Sequence, residues 1–273
     1  MVEVEITKSK KAVERPFLEM FRNVPYLSAI AFLMVFLIWC VLTYGGILQK
    51  VFLPTPTAVL SAMAAMYQSG TLGSDVLDSV LRILIGWVLA AIIALPIGML
   101  IAKSKKSSQF IQPLIEFARY LPVTALVPLT LVYCGIGEFQ KYVVIFLGTF
   151  FQLVLMVNDS VSSVDRNLLN AARTLGADSW QTYKLVLFPA ALPSILDNFR
   201  VTIGWAWTYL VVAEMIAANS GLGYLIIKSQ RFLKTENIFA SLLLIGIIGL
   251  LTDFAFRLLT KFVTPWYERL SEH

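Results

Sequence analysis

Two stretches of this chain carry no charge over the length of a bilayer crossing. Residues 26–48 and 83–102 are unbroken by Asp, Glu, Lys or Arg, and a helix needs roughly 20 apolar residues to cross about 30 Å of hydrocarbon. Four further runs, shorter or with a charge near one end, cover about 111–135, 142–158, 196–218 and 238–260. Inside lipid every backbone polar group must pair within the protein, so these runs predict an all-α, polytopic transmembrane helical bundle of about six spans. The composition agrees, since 58% of the residues are hydrophobic and only 14% charged, too apolar for an ordinary soluble domain.

Orientation follows from where the cations fall. With the N-terminus inside, the inner segments hold thirteen Lys and Arg outside the spans, among them Lys103, Lys105, Lys106, Arg166, Arg173 and Lys184. The outer segments hold five: Lys50, Lys141, Lys228, Arg231 and Lys234. That asymmetry predicts both termini in the cytoplasm. The formal charge of +5 is then a matter of topology and calls for no nucleic-acid partner. The first apolar run is too long for a signal peptide and has no small-residue cleavage site after it, so it is expected to stay as an anchor. Cys40 and Cys134 show no metal spacing, and the sole histidine is His273, the last residue. A zinc site or a His-based triad is excluded on that count.

Three regions are expected. Residues 1–24 form a cytoplasmic tail with an interfacial helix around 17–22, residues 25–262 the transmembrane domain, and 263–273 a cytoplasmic tail. Pro54 and Pro56 end one helix and open a short outer one. Pro122 and Pro128 break the third span, each removing a backbone donor, so that span is expected to face protein or a cavity. Gly221 and Gly223 permit a tight turn into a second outer helix. Asp78 and Arg82 are spaced to neutralise each other, as are Glu116 with Arg119, Asp197 with Arg200 and Asp253 with Arg257. Glu214 has no such neighbour and is a candidate gate or pathway group.

The inner loop at about 159–195 is unusually well punctuated. Ser162, Ser163 or Asp165 can cap a helix that runs to Leu175, and Gly176 is a natural left-handed stop. Asp178 or Ser179 can cap a second helix, expected to end before Pro189. Leu168, Ala172 and Leu175 share one face by spacing, and Trp180, Tyr183 and Leu187 another. A rigid helical elbow with apolar and aromatic faces is a docking element, where a slack connector would need none of these signals.

This loop resembles the "EAA" loop of ABC importer permeases, whose pattern is Glu-Ala-Ala, three residues, Gly, nine residues, then Ile, any residue, Leu-Pro. Asn170, Ala171, Ala172, Gly176, Val186, Phe188 and Pro189 stand at those places, with Asn170, Val186 and Phe188 departing in residue type. The segments "FLPTPTAVL", "ARYLPVTALVPL", "GIGEFQK", "AARTLGA", "FPAALPSIL" and "VVAEMIAANSGLGYLI" are similar to those of the permeases for nitrate, sulfonate, taurine and bicarbonate. The resemblance implies a bacterial inner-membrane permease working as a dimer with a second copy. It also implies two ABC ATPase subunits that bind ATP and Mg and grip the elbow as a coupling helix, an extracytoplasmic solute-binding protein, and surrounding membrane lipid. Asn170, Ala171, Ala172, Arg173, Gly176, Trp180 and Tyr183 are the expected ATPase contacts. No G-x-x-x-x-G-K-[ST] loop occurs in the chain, so no cofactor is expected on it and ATP is left to the partner. Arg119 is the leading group for attracting an anion, with Tyr120, Thr124, Trp205 and Thr208 as pathway lining and Glu214 near the outer gate. An ion-coupled secondary transporter or channel is the alternative, set against a docking loop and no visible inverted repeat. A membrane enzyme finds no cluster of catalytic groups.

Overall fold

The computed structural model describes residues 26–70 and 72–266. The tail 1–24 with its interfacial helix, and the last part of the C-terminal tail, lie outside the described residues. The chain divides into two compact units, Met1–Leu60 and Ser61–His273. In the first, α1 (Tyr26–Tyr44) is followed by a turn held by the Trp39 indole donating to the Pro54 carbonyl at 2.9 Å. Pro56 then opens α2 (Pro56–Gln68), the short helix that the proline spacing predicts.

The second unit is helical among the described residues. It comprises α3 (Leu72–Lys103), α4 (Lys105–Arg119), α5 (Val123–Cys134), α6 (Glu138–Ser162), α7 (Arg166–Thr174) and α8 (Ser179–Gln181). A π-helical stretch, Thr182–Leu187, leads into α9 (Phe188–Ala217), followed by α10 (Leu222–Arg231) and α11 (Thr235–Val263). Leu72–Lys103, Glu138–Ser162, Ser179–Ala217 and Thr235–Val263 are long and apolar enough to cross a membrane. The fifth expected span is the α4–α5 pair, and the sixth is α1, which at 19 residues reaches about 28 Å at 1.5 Å per residue.

The third span is broken, as its prolines predict: α4 and α5 meet at 97° across residues 120–122. Pro122 is itself extended at the start of α5, at φ −68° and ψ 108°, and its ring disfavours helix in the residue before it. The first half is amphipathic rather than apolar, with Lys105, Lys106, Ser107, Gln109, Gln112 and Glu116 in sequence. It cannot sit in hydrocarbon as a span would, and α5 alone is too short to cross.

α6 is the hub of this unit, with α3, α9, α5 and α4 all packed on it. Gly86, Ala90, Ala94 and Gly98 recur every fourth residue along α3 and are all buried. Side chains this small let two backbones approach closely where lipid offers no hydrophobic drive between helices. A Cβ on Gly86 would come within 2.8 Å of Ile145, and one on Gly98 within 2.7 Å of the Val154 carbonyl. Trp87 ties three helices together: its indole donates to Thr202 Oγ1 at 3.1 Å, and its ring meets Phe199 and Phe256 edge-on at 5.5 Å. Toward the elbow Asn198 donates to Ser160 Oγ at 2.7 Å and to the Met156 carbonyl at 2.9 Å, fixing α9 against α6.

Candidate functional site

The elbow forms as its punctuation requires. The Asp165 carboxylate caps α7 by accepting from the Asn167 N–H at 2.8 Å. The helix stops at Gly176, whose φ of 88° lies in the left-handed region that glycine tolerates. Asp178 then starts the next turn with a capping box. Its carboxylate accepts from the Trp180 and Gln181 N–H groups at 2.7 Å, and Gln181 Oε1 accepts from the Asp178 N–H at 3.0 Å.

The second helix does not end before Pro189, as its sequence suggests. Phe188 N–H bonds to the Tyr183 carbonyl five residues back, giving the π-helical stretch Thr182–Leu187, and α9 continues from there through Pro189 and Pro193. The wider turn shifts the hydrogen-bond register so that Pro189, with no N–H to give, enters at the start of α9. Elbow and membrane helix are therefore one continuous helical body.

What the elbow presents is apolar and has no partner among the described residues. No residue of α7 is buried. Leu168 is 50% exposed, Leu175 88% and Trp180 64%, and Asn170, Ala171, Arg173 and Gly176 are exposed, with Ala172 half-buried. Tyr183 turns the other way. Its hydroxyl reaches Met99 Sδ at 3.4 Å and Lys103 Nζ sits 5.2 Å from its ring centroid, so it seats the elbow on the C-terminal end of α3 while Trp180 stacks on it at 5.7 Å.

A second site opens where the third span breaks. Arg119, Tyr120, Thr124 and Trp205 come together there with Gly148, Gln152 and Tyr209 around a cavity of 280 Å³. Gln152 and Tyr209 are additions from the structure; they lie in otherwise apolar stretches of α6 and α9, and nothing in their local sequence sets them apart. Thr208 is exposed but off this lining. Arg119 does not pair with Glu116, which accepts instead from Gln112 at 2.8 Å. The guanidinium stays by Tyr120, donating to its hydroxyl at 3.1 Å with Cζ 4.9 Å from the ring centroid.

Glu214 is not part of that lining. It is fully buried, 0% exposed, and its partner is Arg82, too distant in sequence for spacing to suggest: Nη1 lies 2.7 Å from Oε1. Ser79 Oγ at 2.8 Å and the Gly223 N–H at 2.8 Å complete its shell. The same guanidinium grips Glu138 in bidentate fashion at 2.6 and 2.8 Å and donates to the Ser220 carbonyl at 2.8 Å, while Lys141 holds Glu138 at 2.8 Å. Asp78, the partner that spacing suggests for Arg82, stands off at 3.9 Å and accepts instead from Ser220 Oγ at 2.6 Å. Arg82 thus fastens α3, the start of α6, the end of α9 and the turn before α10. The turn itself uses Gly221, at φ 111°, whereas Gly223 is required for space, a Cβ there falling 2.8 Å from Glu214 Cβ. The other two pairs form as their spacing predicts, Arg200 with Asp197 at 2.9 Å and Arg257 with Asp253 at 2.7 Å.

Comparisons with known proteins agree with this architecture. A family model described as the inner membrane component of binding-protein-dependent transport systems matches residues 94–269. The chain is 39% identical over 231 residues to a probable ABC transporter permease protein of Brucella abortus, covering 85% of this chain and 91% of that one. It is 32% identical over 235 residues to the taurine transport system permease protein of Escherichia coli, covering 84% and 86%. It is 28% identical over 246 residues to a nitrate import permease protein of Synechocystis, covering 87% and 88%. Among solved structures, the MetNI methionine ABC transporter in its inward-facing form superposes with a TM-score of 0.65 at 22% identity, over 72% of this chain and 98% of that one, a likeness of fold.

Proposed function

This chain belongs to the binding-protein-dependent transport system inner membrane components, the permeases of ABC transporters, and on that premise we propose that it is the translocation subunit of an ATP-driven importer for a small anion of the sulfonate or nitrate kind. The solute class rests on relatives named for aliphatic sulfonates, taurine and nitrate. The permease performs no hydrolysis itself. Two ATPase subunits bind ATP and Mg and dock on the elbow, a second copy of this chain closes the pore by two-fold symmetry, and a solute-binding protein delivers from outside. Both termini and the elbow then lie in the cytoplasm, a reading that the cation asymmetry supports, and lipid covers the outward faces in the bacterial inner membrane.

The observation that carries this reading is the elbow: an aromatic and aliphatic surface, rigidly capped at both helix starts and left exposed by the described residues. Asn170, Ala171, Ala172, Arg173, Gly176 and Trp180 supply the contact, and Tyr183 supports it from behind. Because α8, the π stretch and α9 form one body, closing the ATPase pair moves the elbow and tilts α9 with it.

Co-expression with the ATPase, purification and reconstitution into vesicles test the proposal. A stable complex and uptake only with hydrolysable ATP are expected. Solute moving down its gradient through the chain with no ATPase present would overturn it, as would labelling of a cysteine placed at Ala177 exclusively from the outer side.

A further inference from the structure

The cavity at the broken third span lies beside the middle of α6. Gly148 and Gln152, on one wall, stand equally far from the two ends of the 25-residue α6, and Trp205 and Tyr209 on the facing wall lie well within α9. Arg119, the last residue of α4, is exposed at this cavity and open to water or a ligand. Arg119 meets no carboxylate within ion-pair distance among the described residues; its one side-chain bond is to the Tyr120 hydroxyl.

The rest of the lining is matched to the same kind of ligand. Among the described residues no Asp or Glu lines the cavity, and its other polar side chains all carry a donor: Tyr120, Thr124, Gln152, Trp205 and Tyr209. Among the described residues Thr124, Gln152, Trp205 and Tyr209 make no side-chain hydrogen bond within the protein. A cavity with one unpaired guanidinium, several uncommitted donors and no carboxylate is complementary to negative oxygen atoms and repels nothing anionic. The first turn of α5, Val123 and Thr124, adds the donor end of a helix to the same wall. The volume of 280 Å³ is the liquid share of about nine waters, room for a small solute that keeps part of its hydration.

We propose that this cavity is a binding site for the oxyanion head of the transported solute, a sulfonate or nitrate-like group. Arg119 takes the charge and Gln152, Trp205 and Tyr209 donate to the oxygens. The site deepens the importer reading and rests on it: the permease itself, and not the delivering protein alone, selects for negative oxygen.

Titration of the purified complex in lipid nanodiscs, followed by tryptophan fluorescence, tests it with ethanesulfonate as the anionic probe and ethanesulfonamide as its neutral counterpart. Ethanesulfonate gives a saturable change that Trp205→Phe abolishes, and ethanesulfonamide gives none. Arg119→Gln weakens the apparent affinity about tenfold or more, which corresponds to about 1.4 kcal/mol. Arg119→Lys, retaining the charge without the planar fork, weakens it less. Matching gel-filtration profiles establish that the variants are folded. Equal saturation by the neutral probe, no saturation at all, or an unchanged affinity in Arg119→Gln would each overturn the site. The same titration on the chain purified without its ATPase reads the cavity alone. Failure there with ATP-driven uptake intact sinks only this site, whereas absence of an ATPase complex sinks the importer reading and leaves the site standing.

Discussion

Replacing Arg82 by methionine removes the fastening between α3, α6 and α9 and leaves its volume filled. Arg82 is 3% exposed and Glu214 is wholly buried, so the substitution strands a carboxylate with no counter-charge. Removing one partner of a buried ion pair costs about 3–5 kcal/mol. Glu138 adds little, because its side chain is 50% exposed and exposed pairs are worth about 1 kcal/mol or less. Glu214 keeps its bonds from Ser79 and the Gly223 N–H, which places the cost at the lower end, about 3 kcal/mol. At about 2–4 °C per kcal/mol for a chain of this size, the melting temperature falls by roughly 6–12 °C. Glu214→Gln costs less, since Arg82 retains Glu138. Arg82→Met combined with Glu214→Met recovers most of the loss, because an apolar pair of similar volume carries no desolvation penalty. Thermal unfolding of the detergent-solubilised protein, followed by intrinsic fluorescence, reads all three. A single variant melting within about 2 °C of the wild type, set against the slope above, or a double variant no more stable than Arg82→Met, would refute the reasoning.

Three further outcomes follow from local geometry. Gly176→Val forces a β-branched residue to φ 88° at a cost of about 1–2 kcal/mol, and ATP-driven uptake per inserted permease drops sharply while the amount in the membrane holds. Asp178→Ala removes the capping box and about 1 kcal/mol of local stability, seen as faster amide exchange over 177–182 with the melting temperature nearly unchanged. Gly98→Leu drives a side chain into the Val154 carbonyl and Val157 and lowers the folded yield on membrane extraction, whereas Gly73→Ala, with open space around it, leaves the yield as it was.

Most of the helical frame was legible because it is written in runs and punctuation. Apolar length marks α3, α6, α9 and α11, and Asp165, Gly176 and Asp178 mark the elbow. What escaped depends on contacts far apart in sequence. Glu214 looked unpaired because only near neighbours could be weighed, and its partner Arg82 lies on another helix. Spacing assigned Arg82 to Asp78, but a bidentate carboxylate on α6 holds the guanidinium at shorter range. The small-residue stripe from Gly86 to Gly98 was visible in the sequence, though only the facing helix gives it meaning. Proline signalled a break in the third span without fixing its angle. It also argued for a helix end before Pro189, where a π turn allowed the helix to continue.

One helix joins the three places where this chain concentrates its polar and aromatic groups. α9 emerges from the elbow at Phe188, carries Trp205 and Tyr209 along one wall of the cavity, and ends with Glu214 in the grip of Arg82. Its C-terminal end is held by an ion pair and a shell of short hydrogen bonds, and its N-terminal end by the elbow, whose exposed face has nothing against it among the described residues. A 30-residue helix is stiff over its length, so a push at the elbow has two outlets: rupture of the buried Arg82 pair, or rotation of the shaft about it. Rupture meets the cost of separating buried charges, while rotation asks only that Tyr209 slide past Gly148, where no Cβ stands in the way of its ring. The cheaper motion is the one that changes the shape of the cavity beside the middle of α6, which is why the glycine there belongs with the charged residues in any account of how the elbow reaches the pore.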